Sequence, residues 1–413
     1  MTTRSHGAHG AHEVAIAALA ARQRSGYTLE QPFYADPAIF EHDLERIVTK
    51  QWLFVDHASR FAAPGDLMLY DIAGESIVLV RGRDGAIRAF FNVCRHRGSR
   101  ICLKESGRTR TLTCPYHGWV YDLEGHLIHA RNMPADFDPA AWPLHPCQVR
   151  EWQGMVFINL GHDGDPAVMP FEPLAANLAK YLNPYRLERA KIVARKTYPT
   201  PANWKLAVEN FRECYHCATA HPEYTMVNAY VKANDDAPGS YQKPTEAWAK
   251  TWAAKGRVVE RFDSATTDPR QPHGAFRQPI REGWVTLSQD GKPVAPLLGD
   301  LDAYDSGETL VLFGPLFYVY LANDHATLFR FTPVSATHTD VVAVWLARED
   351  AVEGRDYDVG RITWMWDATT IEDTTIIANN QLGVNSRRYA PGPYASREAG
   401  TREFVDWYVS RVR

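Results

Sequence analysis

At 413 residues the chain exceeds one ordinary domain, and its length predicts two or three. The 45% apolar content suits a globular protein with a proper core, and no run approaches the roughly eighteen apolar residues of a membrane span. A net charge of −4, with both signs interspersed, leaves no basic face for a nucleic acid.

Met1–His12 is rich in Gly, Ala and His and lacks the apolar core of a signal peptide; it is expected to be a disordered tail. Glu13–Gln23 reads as a weak amphipathic helix, and Asp36-Pro37 opens another over Pro37–Trp52. From Trp52 the pattern changes to short β-rich runs: Trp52–Asp56, Asp66–Ile72, Ser76–Arg81, Ile87–Asn92, Thr111–Thr113 and Met155–Leu160. Turns such as Asp84-Gly85 and Glu124-Gly125 separate them, as in an all-β domain. Asp163–Pro184 reads as a linker with a helix at Leu174–Leu182, and an α+β region begins at Lys191. Within it, polar Asn234–Gln278 is expected to form loops or a lid. Strands are expected at Gly283–Ser288, Thr309–Leu321, Ala326–Pro333 and Val341–Arg348. A long helix from about Asp356 to Leu382, ended by Gly383, and a short one at Thr401–Val412 complete the chain. The expected organisation is an N-terminal segment 1–45 packed on the C-terminal domain, a β-rich domain 46–165, and an α+β domain 166–413.

Two loops of the β-rich domain carry chemistry. N-V-C-R-H-R-G offers Cys94-x-His96, and C-P-Y-H-G-W offers Cys114-x-x-His117. One thiolate and one imidazole per loop can clamp a [2Fe–2S] cluster with two Cys on one iron and two His on the other. A Cys₂His₂ zinc site is the rival, although zinc knuckles space paired ligands by two to four residues and Cys-x-His leaves only one. Gly98 and Gly118 suit the tight loops either ligand set needs. Cys102, Cys147, Cys214 and Cys217 are read as packing residues. Cys214-x-x-Cys217 has the spacing of a redox pair, but it encloses a histidine and follows no strand. Six cysteines without a secreted disulfide framework point to the cytoplasm.

The second cluster lies in N-W-K-L-A-V-E-N-F-R-E-C-Y-H-C-A-T-A-H-P, residues 203–222. On a regular helix Glu209 and Glu213 stack one turn apart and His216 shares their face, while His221 swings about 140° away from His216. For both imidazoles to meet one ion the helix must bend or end between them, and Pro222 is placed to end it. Two histidines plus a carboxylate from elsewhere make the facial arrangement of non-haem Fe(II) oxygenases.

Together, the two constellations resemble the α-subunit of the Rieske non-haem iron ring-hydroxylating oxygenases over nearly the whole chain. The resemblance implies an α+β fold: a β-rich Rieske domain and a helix-grip-like catalytic domain with an antiparallel sheet. It implies cluster ligands Cys94, His96, Cys114 and His117, and an iron held by His216, His221 and an acid from the long C-terminal helix. In I-E-D-T-T-I-I-A-N-N-Q-L-G that acid falls on Asp373, with Glu372 pointing elsewhere. The family's acidic bridge, three positions before the first iron histidine, falls on Glu213. It would join His216 to His117, or failing that His96, of a neighbouring subunit in a homotrimer.

E-C-Y-H-C resembles the branch that oxidises quaternary ammonium compounds, such as glycine betaine, proline betaine and carnitine, with release of formaldehyde. NAD(P)H would enter through a separate reductase, since the chain shows no flavin or nicotinamide fingerprint. Aromatic faces hold such cations, and Trp284, Tyr318, Tyr320, Phe329 and Phe331 are candidates, most of them for core packing. The alternatives are hydroxylation of an aromatic ring, a Rieske electron carrier without oxygenase activity, and a zinc-binding structural protein.

Overall fold

The computed structural model describes residues 6–161, 164–165, 167–237, 239–263 and 272–413. The chain divides into two compact units, one of residues 49–168 and one of residues 1–48 and 169–413. Met1–Ser5, Asp163 at the head of the expected linker, and residues 264–271 of the expected lid lie outside the described residues.

Three helices open the chain: α1 (His6–Ala21), α2 (Gln31–Ala35) and α3 (Pro37–Arg46). The expected disordered tail is thus helical from His6, because Ala-rich sequence has the highest intrinsic helix propensity. Asp36 caps α3, its carboxylate accepting from Ala38 N at 2.8 Å.

The smaller unit is built of β1 (Leu53–His57), β2 (Asp66–Ile72), β3 (Glu75–Arg81), β4 (Ile87–Phe91), β5 (Ser106–Arg108), β6 (Leu112–Thr113), β7 (Val120–Tyr121), β8 (Leu127–His129), β9 (Pro146–Trp152) and β10 (Met155–Asn159). Seven of these form one antiparallel sheet in the order β1-β10-β9-β4-β3-β2-β5, and β6-β7-β8 form a second, small one. Val78, Val80 and Phe90 pack with Leu112, Tyr121 and Leu127, so one core joins the sheets. Cys94 and Cys114 are buried in that core, at the roots of the two loops.

In the larger unit, α4 (Phe171–Leu182) leads into β11 (Ala190–Thr200), and the histidine segment holds α5 (Trp204–Asn210), α6 (Cys217–Ala220) and α7 (Pro222–Val227). Next come α8 (Tyr230–Asp236), α9 (Gln242–Ala253), β12 (Phe262–Asp263), β13 (Gly274–Pro279), β14 (Gly307–Leu312), β15 (Phe317–Leu321), β16 (Ala326–Ser335) and β17 (His338–Arg348). The chain closes with α10 (Val359–Val384) and α11 (Ala399–Val412). The sheet is antiparallel throughout, in the order β11-β17-β16-β15-β14-β13-β12. Strands β15 and β17 are buried almost end to end, because both faces are covered and polar–apolar alternation disappears.

Four further expectations differ from the structure. Thr309–Leu321 is a hairpin rather than one strand, since Gly314 takes φ +71° and Pro315 follows it. Gly283–Ser288 forms turns, with Ser288 Oγ donating to Lys292 O at 2.8 Å. The expected loop stretch contains helices α8 and α9; α9 fully buries none of its residues and packs only through a half-buried face that includes Trp248 and Trp252. Helix α10 runs past Gly383 because Gln381 and Val384 are buried and Asn385 N caps onto Gln381 O at 3.0 Å.

One buried ion pair fastens the helical layer. Lys205 Nζ donates to Asp43 Oδ2, and Asp43 also accepts from Tyr408 Oη at 2.7 Å and Trp204 Nε1 at 3.3 Å. Both charged side chains are fully buried, and burial draws the Lys205 pKa below its usual value against the pull of Asp43. Asp43→Ala leaves that ammonium without its partner and should cost about 3–5 kcal/mol of stability. Denaturant unfolding of the larger unit should show the loss, while unfolding of the smaller unit stays unchanged.

Candidate functional site: two metal centres and a cavity

The two loops of the smaller unit have the same hydrogen-bond pattern. Gly98 N donates to Cys94 O and Gly118 N to Cys114 O, each at 3.0 Å, while Cys94 N donates to Ser99 O at 2.9 Å and Cys114 N to Trp119 O at 2.8 Å. Gly98 and Gly118 take φ +75° and +71°, the left-handed region where a Cβ is strained. The two thiols are free and buried. The imidazoles lie closer to the surface and converge, His96 Nδ1 to His117 Nδ1 at 3.2 Å. Trp119 stacks on His96 with ring centres 4.9 Å apart. The Arg95 N–H and the Cys94 sulfur both lie on Tyr121 Oη, at 3.1 and 3.5 Å. Two thiols and two Nδ1 atoms brought together from matched loops fit the donor set of a Rieske cluster.

In the larger unit the histidine segment is more broken than a bent helix. Helix α5 stops at Asn210, ahead of Glu213, so Glu209 and Glu213 do not stack. The Glu213 carboxylate instead takes the Tyr215 N–H and His216 Nδ1, the latter at 2.5 Å, replacing helical bonding with side-chain bonding. Phe211 turns its ring onto Phe329 and Phe331, at 5.3 and 4.9 Å. His221, at φ −126° and ψ 81°, makes the break between α6 and α7, and Pro222 starts α7 rather than ending a helix. Cys214 and Cys217 are joined in a disulfide, which corrects their reading as separate packing residues. Their three-residue spacing closes over a turn instead of continuing a helix.

Asp373 lies on the buried stripe of α10, in register with Trp366, Thr369, Thr370 and Ile377. Its Oδ1 is 3.0 Å from His221 Nε2 and 3.4 Å from His216 Nε2. Glu372 sits beside it, and its Oε2 meets the other His221 nitrogen, Nδ1, at 2.8 Å. Each histidine is therefore held from behind by a glutamate, His216 by Glu213 and His221 by Glu372, while both Nε2 atoms face Asp373. This is how ligating imidazoles are oriented. Burial alone would lower the His216 pKa, but Asp373 and Glu213 carry it up to about 9. Burial would raise Asp373, yet the two imidazoles hold it below its usual value, an anion at neutral pH. A metal ion binding here would displace the imidazolium proton. Cys217 Sγ lies within 4.8 Å of the histidine donors, but its disulfide removes it as a thiolate.

Sequence reasoning missed several neighbours. Asn210 Nδ2 lies 3.4 Å from His216 Nε2. Trp366 packs on Tyr320 at 4.1 Å and on Tyr224 at 5.6 Å. A cavity of about 800 Å³ adjoins the cluster and shares Phe211, Glu213, Cys214, Tyr224 and Tyr320 with the pocket around the two histidines and Asp373. Of the five aromatic candidates only Tyr320 lines it. Tyr318 takes an Arg212 hydrogen bond at 3.1 Å, Phe329 and Phe331 pack on Phe211, and the Arg281 guanidinium lies over Trp284. Glu209 is no ligand: it accepts from Tyr34 and Tyr394 at 2.8 and 3.0 Å, and burial pushes it up to about 7.

Comparison with known proteins agrees with both centres. The Rieske [2Fe-2S] domain family matches residues 51–151, and the ring hydroxylating alpha subunit (catalytic domain) family matches residues 187–413. The glycine betaine monooxygenase oxygenase subunit of Pseudomonas aeruginosa is 38% identical over 391 residues, 94% of this chain and 89% of that protein. The carnitine monooxygenase oxygenase subunit of Escherichia coli is 43% identical over 236 residues, 55% of this chain and 62% of that protein. A quaternary ammonium Rieske monooxygenase crystallised with L-carnitine superposes with a TM-score of 0.69 at 25% identity, covering 96% of this chain and 99% of that one.

Separate ligand sets predict separable losses. His216→Ala, His221→Ala or Asp373→Ala should lower iron from about three to about two per chain and leave the [2Fe–2S] EPR signal intact. Cys94→Ser should do the reverse. Glu372→Ala, which removes only a support from behind His221, should weaken iron retention about 10–100-fold in a chelator competition without abolishing it.

Proposed function

The chain belongs to the ring-hydroxylating α-subunit family and carries its Rieske [2Fe–2S] domain; on that premise we propose that it is the oxygenase subunit of a monooxygenase that N-demethylates a small betaine. The observation that carries the substrate class is the cavity beside His216, His221 and Asp373. Tyr224, Tyr230 and Tyr320 line it, and so do Arg212, Arg261 and Arg397. Phenol faces suit a quaternary ammonium group, and guanidinium groups suit a carboxylate. A zwitterion uses both kinds of group, whereas an aromatic hydrocarbon would engage only the rings.

Cys94, His96, Cys114 and His117 hold the cluster in this reading, and His216, His221 and Asp373 hold the iron. When bound, the two centres supply electrons and activate O₂. The chain's own residues do the rest. The tyrosine wall and the arginines orient the zwitterion, and burial of Asp373 and His221 keeps bulk water from the reacting methyl group. One oxygen atom of O₂ replaces an N-methyl C–H bond by C–OH while the other leaves as water with two electrons from the reductase and two protons. The N-hydroxymethyl ammonium compound then breaks its C–N bond to give formaldehyde, a proton and the demethylated amine. Electrons come from a separate NAD(P)H-dependent reductase. Glu213 links His216 to His117 of a neighbouring subunit in a homotrimer, and a thiolate-held cluster together with the unpaired Cys102 and Cys147 suits the cytoplasm.

A panel of glycine betaine, proline betaine, carnitine and choline should yield formaldehyde with at least one betaine. A diol or phenol from an aromatic panel, with no formaldehyde, would overturn the reading. Glu213→Gln keeps the shape but loses the charge behind His216, so both metal sites should stay filled while turnover falls at least about 100-fold. Co-expressing a Cys94→Ser chain with a His216→Ala chain should restore activity in mixed oligomers. No rescue in verified mixed oligomers would remove the intersubunit route.

A further inference from the structure

The cavity wall also holds a carboxylate that the metal centres do not use. Glu308 on β14 is 2% exposed and lines the cavity. Opposite it in register stands Gln278 of β13, whose Nε2 donates to Glu308 Oε1 and, at 2.5 Å, to Tyr230 Oη. Glu308 Oε2 makes no hydrogen bond of ordinary length; the Asn228 amide, itself without such a bond, lies near enough to draw the Glu308 pKa down. The groups facing it are the phenols of Tyr224 from α7, Tyr230 from α8 and Tyr320 from β15, with the Arg397 guanidinium beyond Tyr230. Among the described residues none forms an ion pair with it. A buried carboxylate oxygen with no donor is costly to keep for packing alone.

Resting on the betaine reading above, we propose that Glu308 is the counter-ion of the substrate's ammonium group and selects a cation over a neutral group of the same shape. Tyr320 feels the charge of both Glu308 and Asp373. Tyr224 and Tyr320 line both this cavity and the pocket around His216, His221 and Asp373, so a cation held against Glu308 and those rings lies against the wall the two share, which favours reaction at the ammonium end of the zwitterion. Burial drives the Glu308 carboxyl up to about 7, with the Gln278 and Asn228 amides pulling it down. Near neutral pH the group is therefore partly protonated. A cation favours its ionised form, so binding releases a proton to solvent. Affinity should be flat above about pH 8 and fall as pH drops below about 7, approaching tenfold per unit.

The test is calorimetric binding of tetramethylammonium to the oxidised holoenzyme without reductant, from about pH 6 to 8.5, in buffers of different protonation enthalpy. Wild type should bind with about half a proton released near pH 7. Glu308→Gln should bind at least tenfold more weakly, about 1.4 kcal/mol, with no proton released, while its cluster spectrum shows it folded. Glu308→Asp should recover part of the affinity. Wild type should also prefer glycine betaine at least about tenfold over 3,3-dimethylbutanoate, which replaces the ammonium by a neutral carbon of the same shape, and Glu308→Gln should erase that preference. Undetectable binding of tetramethylammonium to wild type, equal binding by Glu308→Gln, or no proton release would each overturn the proposal. Absence of formaldehyde from every betaine, with this binding pattern intact, would instead overturn the reaction.

Discussion

Two histidines five residues apart must turn the same nitrogen toward one carboxylate that arrives from a helix more than 150 residues later. A continuous helix cannot do this, because five residues carry the second ring about 140° from the first. The backbone therefore leaves the helix twice in a dozen residues, over 211–216 and at His221. Each break is held by something other than helical hydrogen bonds. Phe211 is seated on the aromatic face of the sheet, Glu213 ties Tyr215 and His216, a disulfide closes 214–217, and Pro222 restarts the chain. Without those holds the segment would revert to the helix its sequence prefers, and the two Nε2 atoms would part.

So irregular a segment needs a rigid root, and α5 provides it. Asn203 caps the helix and is itself fixed by Gln381 of α10, whose Oε1 accepts from Asn203 N at 2.8 Å. One turn on, Lys205 is locked by Asp43, and at the far end Glu209 is locked by Tyr34 and Tyr394. Gln381 and Asp373 share the buried stripe of one helix, so the element that fixes the start of the histidine segment also supplies its carboxylate. The position of Asp373 relative to His221 is thus set by packing rather than by the metal alone, as preorganised ligand sets require.

What was legible in the sequence follows the same division. The thiol–imidazole loops are readable because all four donors and the turn glycines lie within a few residues of one another, so spacing carries the geometry. Asp373 is readable because the family resemblance places the ligand acid on the long C-terminal helix, and helix register then separates it from Glu372, which points about 100° away. Glu372 shows the limit of that argument, since a residue pointing away from the metal can still reach the back of a ligating ring. The break between His216 and His221 was readable from their spacing, but the disulfide and the interruption over 211–216 were not, because the latter depends on partners from the sheet. Helix α9 escaped because it fully buries no residue, and the β14–β15 hairpin was masked by an apolar run that its glycine interrupts. Glu308 was hidden for a related reason: in G-E-T-L-V-L it reads as a surface acid, and only register with Gln278 turns it inward.

Three carboxylates are buried in and around this site, and burial alone would protonate all of them. Asp373 remains an anion because its hydrogen bonds to His216 and His221, and their electrostatic pull, outweigh its burial. Glu209 and Glu308 meet only phenols and amides, neutral donors that offset part of the desolvation, and both rise to about 7. The difference between them lies in what each still lacks. Glu209 has a phenol on each oxygen and is complete as a structural group. Glu308 has a donor on one oxygen only and a cavity beside the other. On the proposed reading a metal ion would hold the negative charge at Asp373, whereas the charge on Glu308 would be supplied when a cation arrives. Conditional charge suits a group that must receive and release a substrate, since a fully ionised buried carboxylate with no cation beside it would bear its desolvation cost throughout the cycle.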